Sequence, residues 1–319
     1  MKIAAIVVTY NRKELLRECL ESLLNQSRPL ETIILVNNAS TDGTEEMLSG
    51  EGYLDNTIIH YIKSEQNTGG AGGFHSGIQS GIEMNFDWLW IMDDDCIPFP
   101  DALELLITNA HLTEKETVAL CNQVLMPDGS IHIGTRRRLD TNLKEVMSNT
   151  TDYKKKFFEI HLFSFVGVLL RAATARQVGL PRKEYFIFFD DTEYSFRCMK
   201  LGKIYVIPES KVLHKSPLRV ERPWQLSWRD FFLIRNPIHM YKTHIFSGDT
   251  TLFKKIFLFF KIVLWQSIIK PVLRPLVIPT YHGQRFQYLK LSLKAVYQGV
   301  TGNFINNLEE INKLTLKGK

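Results

Sequence analysis

The sequence contains few cysteines, and none of them forms a metal or redox motif. The four are Cys19, Cys96, Cys121 and Cys198, and no two lie in a Cys-x-x-Cys pair. This spacing excludes a zinc ribbon and a dithiol redox site, and it favours a reducing compartment. The amino terminus enters a short apolar segment that has no small-residue cleavage site. We therefore expect no signal peptide and a cytoplasmic location.

The sequence also lacks the glycine patterns of common nucleotide cofactor sites. Its glycine-rich segment from Asn67 to Gly73 fits neither G-x-G-x-x-G nor the P-loop pattern. A nicotinamide or ATP site of those kinds is therefore disfavoured. The segment suits either a close backbone approach to a ligand or a tight loop packed under a sheet. We predict that a helix begins there.

A large excess of positive charge is absent from the chain as a whole. The net charge of +5 is mildly basic and favours acidic partners such as phosphates or anionic lipid. We expect no nucleic-acid partner. Two short basic runs, 136–138 and 154–156, are interpreted as solvated faces or loops.

Acidic residues are absent between Asp249 and Glu309. The basic residues of this stretch are Lys254, Lys255, Lys261, Lys270, Arg274, Arg285, Lys290 and Lys294. Its two apolar runs, 256–260 and 262–265, are shorter than the ~20 apolar residues that a spanning helix needs. Aromatic residues mixed with basic ones are typical of an interfacial helix, which we predict to lie on the inner face of the cell membrane. A core helix or a homo-oligomer interface is the alternative.

Apolar, β-branched runs alternate with helical patterns in the first part of the chain. We predict buried strands at 3–9, 32–36, 57–62 and 87–92. A helix follows the first strand, with Asn11 as its N-cap and Glu14 as the capping-box partner. This alternation predicts an α/β domain with a mostly parallel sheet and helices on both faces, which we assign to residues 1–245. A helical region, 246–319, completes the chain.

Three adjacent aspartates follow the fourth predicted strand, at the sheet edge where α/β proteins bind ligands. They are Asp93, Asp94 and Asp95. Neighbouring carboxylates repel one another, so burying them together requires a cation. Alternation along an extended chain places Asp93 and Asp95 on the same side, a pair that suits Mg²⁺ or Mn²⁺. An exposed acidic turn is the alternative.

A second acidic cluster, Asp190 and Asp191, follows the apolar run 186–189. One of the two is expected to cap the helix that begins here, which leaves the other free for chemistry. Burial would raise the pKa of a carboxylate and suit it to act as a general base, and Asp191 is our candidate. A lone histidine such as His214 is more often structural than a ligand. A metal bound by carboxylates would favour it as a further ligand.

These motifs together resemble family-2 glycosyltransferases with the GT-A fold. The elements, in order, are Val8–Arg12, Asn37–Thr44, Asn67–Gly73, Asp93–Asp95, Asp190–Tyr194 and His214. Within the family the chain is most similar in look to bacterial galactofuranosyl- and rhamnosyltransferases. The resemblance implies an enzyme that moves a sugar, with inversion, from a UDP- or dTDP-linked donor. The acceptor would be a glycan or lipid-linked glycan of the cell surface.

The resemblance also implies roles for individual residues. Residues lining the nucleotide and sugar site would be Thr9, Asn11, Arg12, Asn38, Asn67 and Asp94. Asp93, Asp95 and His214 would bind the metal, and Asp191 would deprotonate the acceptor. The pair Arg235-Asn236 resembles an Arg-Asn pair near the end of such domains and has no assigned role.

One departure from the family pattern affects the choice of donor. Many relatives carry Asp-Asp or Asp-Asn where this chain has Asn37-Asn38, so the choice between uridine and thymidine donors stays open. A sugar nucleotidyltransferase is a competing interpretation, although residues 11–16 lack the glycine-rich basic loop expected next to its first strand. A degenerate membrane-bound scaffold is another, against which both acidic clusters argue.

Overall fold

The computed structural model describes residues 1–216, 225–247, 251–270, 272–273 and 283–316. Within these residues the largest sheet has nine strands, eight of them in the order β3-β2-β1-β4-β11-β6-β12-β5, with β9 paired to β12. The bounds are β1 Ile3–Thr9, β2 Thr32–Asn37, β3 Ile59–Lys63, β4 Trp88–Asp93, β5 Cys96–Pro98, β6 Thr117–Leu125, β9 Phe158–Ile160, β11 Val166–Arg171 and β12 Lys203–His214. A second sheet, in the order β10-β7-β8, consists of β7 Arg136–Leu139, β8 Glu145–Met147 and β10 Leu162–Phe163.

The sheet is mostly parallel, as predicted. Strands β3, β2, β1 and β4 run in parallel, and β6 pairs with β12 in the same sense. The exceptions are β5, β9 and β11, each antiparallel to its neighbours. Helices cover both faces of the sheet, so both faces of the parallel strands are buried. These strands are therefore continuously apolar and do not alternate between polar and apolar residues.

Strand β1 shows how the two faces are built. Ile3, Ala5 and Val7 belong to one apolar core with residues of α1, which spans Lys13–Leu24. The alternate residues of the strand belong to a second core with residues of α3, which spans Gly69–Glu83. Because successive side chains of a strand point to opposite faces of the sheet, β1 contributes to an apolar core on each side.

Helix α3 packs tightly on the sheet through its glycines. A Cβ added at Gly73 would lie 2.3 Å from Val8 Cγ1, and one added at Gly77 would lie 2.5 Å from Ile6 Cγ2. These positions are one helical turn apart and face β1. The glycine-rich segment is therefore the first turn of a helix, as predicted, and part of its glycine requirement comes from helix–sheet packing.

Two local predictions were wrong. Asn11 does not cap α1: Arg12 is the residue before the helix, and the backbone N–H of Lys13 is instead accepted by Asp42 Oδ2, which lies beyond the next strand. Arg136 is not solvated. It is fully buried, and its guanidinium donates to backbone carbonyls that include those of Asn122 and Val166. A buried guanidinium needs such acceptors because leaving its N–H groups unpaired is costly.

The chain forms two compact units. One comprises 1–183 with residues from 191 to the end of β12, and it contains both sheets. Its remaining helices are α2 Thr44–Gly50, α4 Ala102–Ile107, α5 Ala172–Val178 and, from Asp191 on, α6 Asp190–Cys198. The other unit comprises 184–190 and the described residues from 225 onward. This division differs from the predicted boundary at 245.

The second unit is helical. Its elements are α7 Arg229–Ser247, α8 Leu252–Leu258, a π-helical segment Phe259–Ile269, α9 Arg285–Thr301 and α10 Leu308–Thr315. Helix α7 packs against α9 and against the π-helical segment, which explains why it groups with the C-terminal helices. Among the described residues, no helix is long and apolar enough to cross a membrane. Arg274, part of the predicted interfacial stretch, lies outside the described residues.

Candidate active site

The carboxyl ends of β1 and β4 bring the first predicted site residues together. Strand β4 ends at Asp93, so Asp94 and Asp95 lie in the turn that follows, not on the alternating faces of a strand. Thr9, the last residue of β1, donates its hydroxyl to Asp94 Oδ2 at 2.8 Å. Arg12 Nη1 contacts Asp94 Oδ1 at 3.3 Å and Asp95 Oδ2 at 2.8 Å. The loop after β1 therefore supplies the positive charge that the turn after β4 requires.

The last residue of β12 completes this cluster. His214 Nε2 lies 3.3 Å from Asp95 Oδ1, and its Nδ1 lies 3.1 Å from Nδ1 of His132. The two imidazole rings are stacked, with centroids 5.3 Å apart. Two facing ring nitrogens share one hydrogen bond only if one carries the proton and the other accepts it. One of these two nitrogens therefore carries the proton and the other accepts it, and Asp95 is linked through His214 to His132.

The pKa values of Asp94 and Asp95, the two aspartates that Arg12 contacts, are shifted in opposite directions. Burial raises the pKa of Asp94 to about 6, although Arg12 and Thr9 act to lower it. For Asp95, burial also acts to raise the pKa, but His214 and Arg12 outweigh it, and the pKa lies below its ordinary value. Asp94 is only 3% exposed. Asp95 is thus the carboxylate that stays charged, and Asp94 is the one that burial disfavours in its charged form.

The predicted donor residue Asn38 lies in a separate hydrogen-bonded group. Its Nδ2 donates to Asn67 Oδ1 and to the carbonyl of Gly69, and its Oδ1 accepts from the backbone N–H and hydroxyl of Thr68. Because these contacts use the full hydrogen-bonding capacity of the amide and Asn38 is 1% exposed, this side chain ties the end of β2 to the start of α3. Asn67 is half-buried, and its Nδ2 has no hydrogen-bond partner among the described residues.

Asn11 joins the loops that follow β1 and β2. Its side-chain Oδ1 accepts from the backbone N–H of Thr41 at 2.6 Å, and its own N–H donates to Ser40 Oγ. Its φ of 54° lies in the left-handed region, which asparagine tolerates better than most residues. Asn11 is exposed, so these loops present a fixed polar surface beside Arg12.

Asp191 lies at the start of α6. Its Oδ1 accepts from the backbone N–H of Thr192 and, at 3.0 Å, from the Thr192 hydroxyl. Arg137 Nη2 donates to that same hydroxyl at 2.9 Å. Among the described residues, no hydrogen bond or ion pair joins Asp191 to the three aspartates after β4. Asp190 is buried at 8% exposure and takes part in interactions of its own.

The donor groups around Asp95 fit a hard divalent cation in their chemistry. Asp95 Oδ1 is buried and has no hydrogen bond of ordinary geometry among the described residues, and an imidazole nitrogen lies beside it. Carboxylate oxygen and imidazole nitrogen are ligands that Mn²⁺ accepts. In the part of the chain that the structure describes, however, no three His, Cys, Asp or Glu side chains are arranged to hold one ion. Arg12 contacts the other oxygen of Asp95.

Two residues that belong to these groups, His132 and Arg137, were not predicted from the sequence. His132 follows a turn and lies 82 positions before His214, and Arg137 belongs to a run that was interpreted as solvated. Both reach the site through pairing of distant segments, which no local pattern reveals. An isolated histidine or arginine in a hairpin has no distinguishing spacing.

An α/β sheet of this order, with carboxylates and a histidine at its strand ends, defines the class of GT-A-fold proteins. Within that class, the chain belongs to glycosyl transferase family 2: the model described as Glycosyl transferase family 2 matches residues 4–179. The resemblance carried by the motifs is thereby confirmed at the level of the family.

One similar protein of known name is the galactofuranosyltransferase GlfT1 of Mycolicibacterium smegmatis. It is 30% identical over 209 residues, which cover 63% of this chain and 66% of that protein. The match thus spans slightly less than two thirds of the relative's length.

Solved structures that share the fold include those of GalNAc-T7 and S. aureus TarS. GalNAc-T7 with UDP, GalNAc and Mn²⁺ matches with a TM-score of 0.64 and 13% identity, covering 97% of this chain and 58% of that chain. S. aureus TarS 1-349 in complex with UDP-GlcNAc matches with a TM-score of 0.60 and 16% identity, covering 99% of this chain and 84% of that chain. At these identities the similarity establishes the fold alone.

Proposed function

We propose that this protein is an inverting glycosyltransferase that moves a sugar from a nucleotide diphosphate to a hydroxyl of a glycan or lipid-linked glycan. The observation that carries the proposal is the linked cluster of Arg12, Asp94, Asp95 and His214 at the strand ends of a family-2 domain. Similarity to a galactofuranosyltransferase favours galactofuranose as the sugar, with rhamnose as the alternative, in cell-surface polysaccharide synthesis. Family membership argues against a sugar nucleotidyltransferase.

The reaction needs a base for the acceptor, and Asp191 is suited to that role. Its Oδ1 is held by Thr192, which Arg137 orients in turn, so Oδ2 is left to take the proton. The acceptor oxygen then bonds to the anomeric carbon as the bond from that carbon to the diphosphate breaks. The electron pair leaves with the nucleoside diphosphate. A single displacement of this kind inverts the anomeric configuration.

Several residues near the strand ends would bind and orient the donor. Arg12 and Asn11 present charge and polar groups on the exposed side of the loop after β1. Asn67 offers a half-buried amide N–H group beside the buried Asn38, whereas the buried Thr9 and Asp94 are hydrogen-bonded to each other. Hydrogen-bond donors that are already fixed in place are effective because they need no reorganisation during the reaction.

A divalent ion, Mn²⁺ or Mg²⁺, would be held by Asp93, Asp95 and His214 only after these side chains move, since no three such groups surround one point among the described residues. When bound, it supplies positive charge that stabilises the leaving diphosphate. GalNAc-T7, which shares the fold, was solved with Mn²⁺. His214 would bind the ion through Nε2 only with its proton on Nδ1, where the hydrogen bond to Nδ1 of His132 would hold that proton. Arg12 competes for Asp95, because it already neutralises that carboxylate.

Replacement of the base tests the proposed function. Asp191→Asn keeps the shape of the side chain but cannot accept a proton from the acceptor. We expect transfer to fall by at least ~100-fold, while the affinity for UDP or dTDP measured by calorimetry stays unchanged. Asp55→Asn, an exposed position on the same unit, is the matched control and should keep full activity. Near-normal turnover of Asp191→Asn would remove Asp191 from the mechanism.

We also propose that the second unit holds the protein at an anionic membrane surface in the cytoplasm. One side of α8 and the π-helical segment, which we call the aromatic face, consists of Phe253, Phe257, Phe260 and Trp265. Their exposure is 82%, 52%, 59% and 57%. Lysines at 254 and 261 are exposed among them, and residues of the opposite side, such as Ile262, are buried. Exposed rings beside lysines, in a stretch without acidic residues, complement the charge of anionic headgroups.

A further inference from the structure

The segment that leads into the proposed base has an unusual backbone. Residues 184–190 directly precede Asp191, and three of them occupy the left-handed region: Phe186 with φ 63°, Phe188 with φ 66° and Phe189 with φ 64°. Bulky residues rarely adopt positive φ, because the side chain crowds the backbone. Such a conformation persists only where surrounding contacts fix it. The contacts that fix this one come from α7.

Asn236 supplies the larger part of those contacts. Its side chain is fully buried, and Nδ2 donates to the carbonyls of Tyr185, Ile187 and Phe188 at 3.0, 2.9 and 2.8 Å. Its Oδ1 accepts from Arg235 Nε at 2.9 Å. The amide therefore binds three backbone carbonyls within four residues of the segment, and these bonds involve none of its side chains.

Arg235 binds the start of the same segment. Its Nη2 donates to the carbonyls of Glu184 and Tyr185 at 2.7 and 3.2 Å, and its Nη1 donates to Asn306 Oδ1 at 2.7 Å. The guanidinium is fully buried, and the rings of Phe231, Phe232 and Phe304 lie within 5.4 Å of its Cζ.

The burial of Arg235 is costly, and its hydrogen bonds show what offsets the cost. Burial lowers the pKa of Arg235 to about 9, so the side chain is still charged at neutral pH. A buried charge needs satisfied donors or opposite charge. The acceptors of its hydrogen bonds to Asn236, Gln298, Asn306, Glu184 and Tyr185 are amide and carbonyl oxygens, and those of Glu184 and Tyr185 belong to the backbone of the segment. The arrangement is suited to fixing the course of a backbone.

We propose that Arg235 and Asn236 are positioning residues for Asp191. They fix the left-handed backbone of 184–190, so that the chain enters α6 in the one conformation that orients the Asp191 carboxylate toward the acceptor hydroxyl. The inference rests on the proposed function of Asp191. It gives the Arg-Asn pair a role in catalysis that acts through the backbone and involves no contact with substrate.

The test separates positioning from a general loss of structure. Asn236→Ala removes the amide group that makes the three hydrogen bonds to the segment. We expect kcat to fall by roughly 100-fold, with the KM for the sugar nucleotide and the affinity for UDP changed by less than about twofold. Leu291→Ala, a truncation at a buried position of α9 in the same unit, is the control for stability. It should keep kcat within about twofold even where its melting temperature falls as far as that of Asn236→Ala.

Arg235→Lys provides a second variant that keeps the charge but loses the forked donor. Arg235→Lys should lower kcat less than Arg235→Ala does, and it should leave the KM for the sugar nucleotide unchanged. If Asn236→Ala does not fold, the same kinetic measurements on Arg235→Lys test the inference. The inference is overturned if the folded variants keep kcat, if donor affinity falls in proportion to kcat, or if Leu291→Ala loses kcat equally. Transfer that survives in Asp191→Asn defeats the proposed role of Asp191, on which this inference rests. An inactive Asp191→Asn beside an active Asn236→Ala defeats this inference alone.

Discussion

Arg12 contacts two buried carboxylates, Asp94 and Asp95, and this contact is the central electrostatic feature at the scale of single residues. Its pKa is raised above the ordinary value, because Asp94 and Asp95 outweigh the effect of burial. The charge problem of three adjacent aspartates could be predicted from the sequence, because it depends on neighbours in the chain. The contribution of Arg12 could not, because it depends on how the loop after β1 meets the turn after β4.

Competition between Arg12 and a metal ion gives a prediction at the same scale. We expect Asp95→Asn to abolish Mn²⁺ binding measured by electron paramagnetic resonance, and Arg12→Ala to tighten it by up to ~10-fold, because a competing cation is removed. EDTA should suppress transfer by the wild type, and Mn²⁺ or Mg²⁺ should restore it. The control is Arg17→Ala, a substitution on α1 that removes an ion pair between Arg17 and Glu51. Unchanged Mn²⁺ binding in Asp95→Asn contradicts the assignment, as does chelator-insensitive transfer.

Among the elements, the strands of the first half were predictable and the middle of the sheet was not. Strands β1, β2 and β4 begin and end within one residue of the predicted bounds, because uninterrupted β-branched runs are typical of buried parallel strands. Strand β11 was not predicted, because its antiparallel insertion between β4 and β6 depends on pairing with distant segments and has no local signature. The cap of α1 was missed for a similar reason, since Asp42 lies 29 residues from Lys13.

The glycines of α3 provide a prediction about packing between elements. Gly77→Ala places a methyl group against Ile6, and we expect it to lower the free energy of unfolding by about 1–3 kcal/mol in urea denaturation. Gly70→Ala, near the start of the same helix, meets no atom within 4 Å and should be neutral or stabilising by up to ~1 kcal/mol. Equal destabilisation by both substitutions would mean that helix propensity, not contact with β1, determines the effect.

At the scale of the whole molecule, the aromatic face of the second unit predicts membrane binding. The full chain should sediment with phosphatidylglycerol vesicles, and it should bind phosphatidylcholine vesicles much more weakly. Combined replacement of Phe253, Phe257 and Phe260 by serine should weaken vesicle binding by at least ~10-fold, because those rings supply the apolar contact. Met147→Ser, an exposed apolar position on the other unit, is the control. Vesicle binding that the triple replacement leaves intact contradicts the proposal, and a dimer that it disrupts without any vesicle binding supports an oligomer interface instead.

The central claim concerns the reaction of the whole protein, and one measurement tests it most directly. The wild-type chain is incubated with a synthetic lipid-linked glycan and, in turn, UDP-galactofuranose, dTDP-rhamnose and common UDP-hexoses, and the product is examined by nuclear magnetic resonance. The account predicts that one of these donors, UDP-galactofuranose first among them, is consumed and that the new linkage has the anomeric configuration opposite to that of the donor. Retention of configuration, or conversion of a nucleoside triphosphate and a sugar phosphate with no sugar nucleotide consumed, would contradict it.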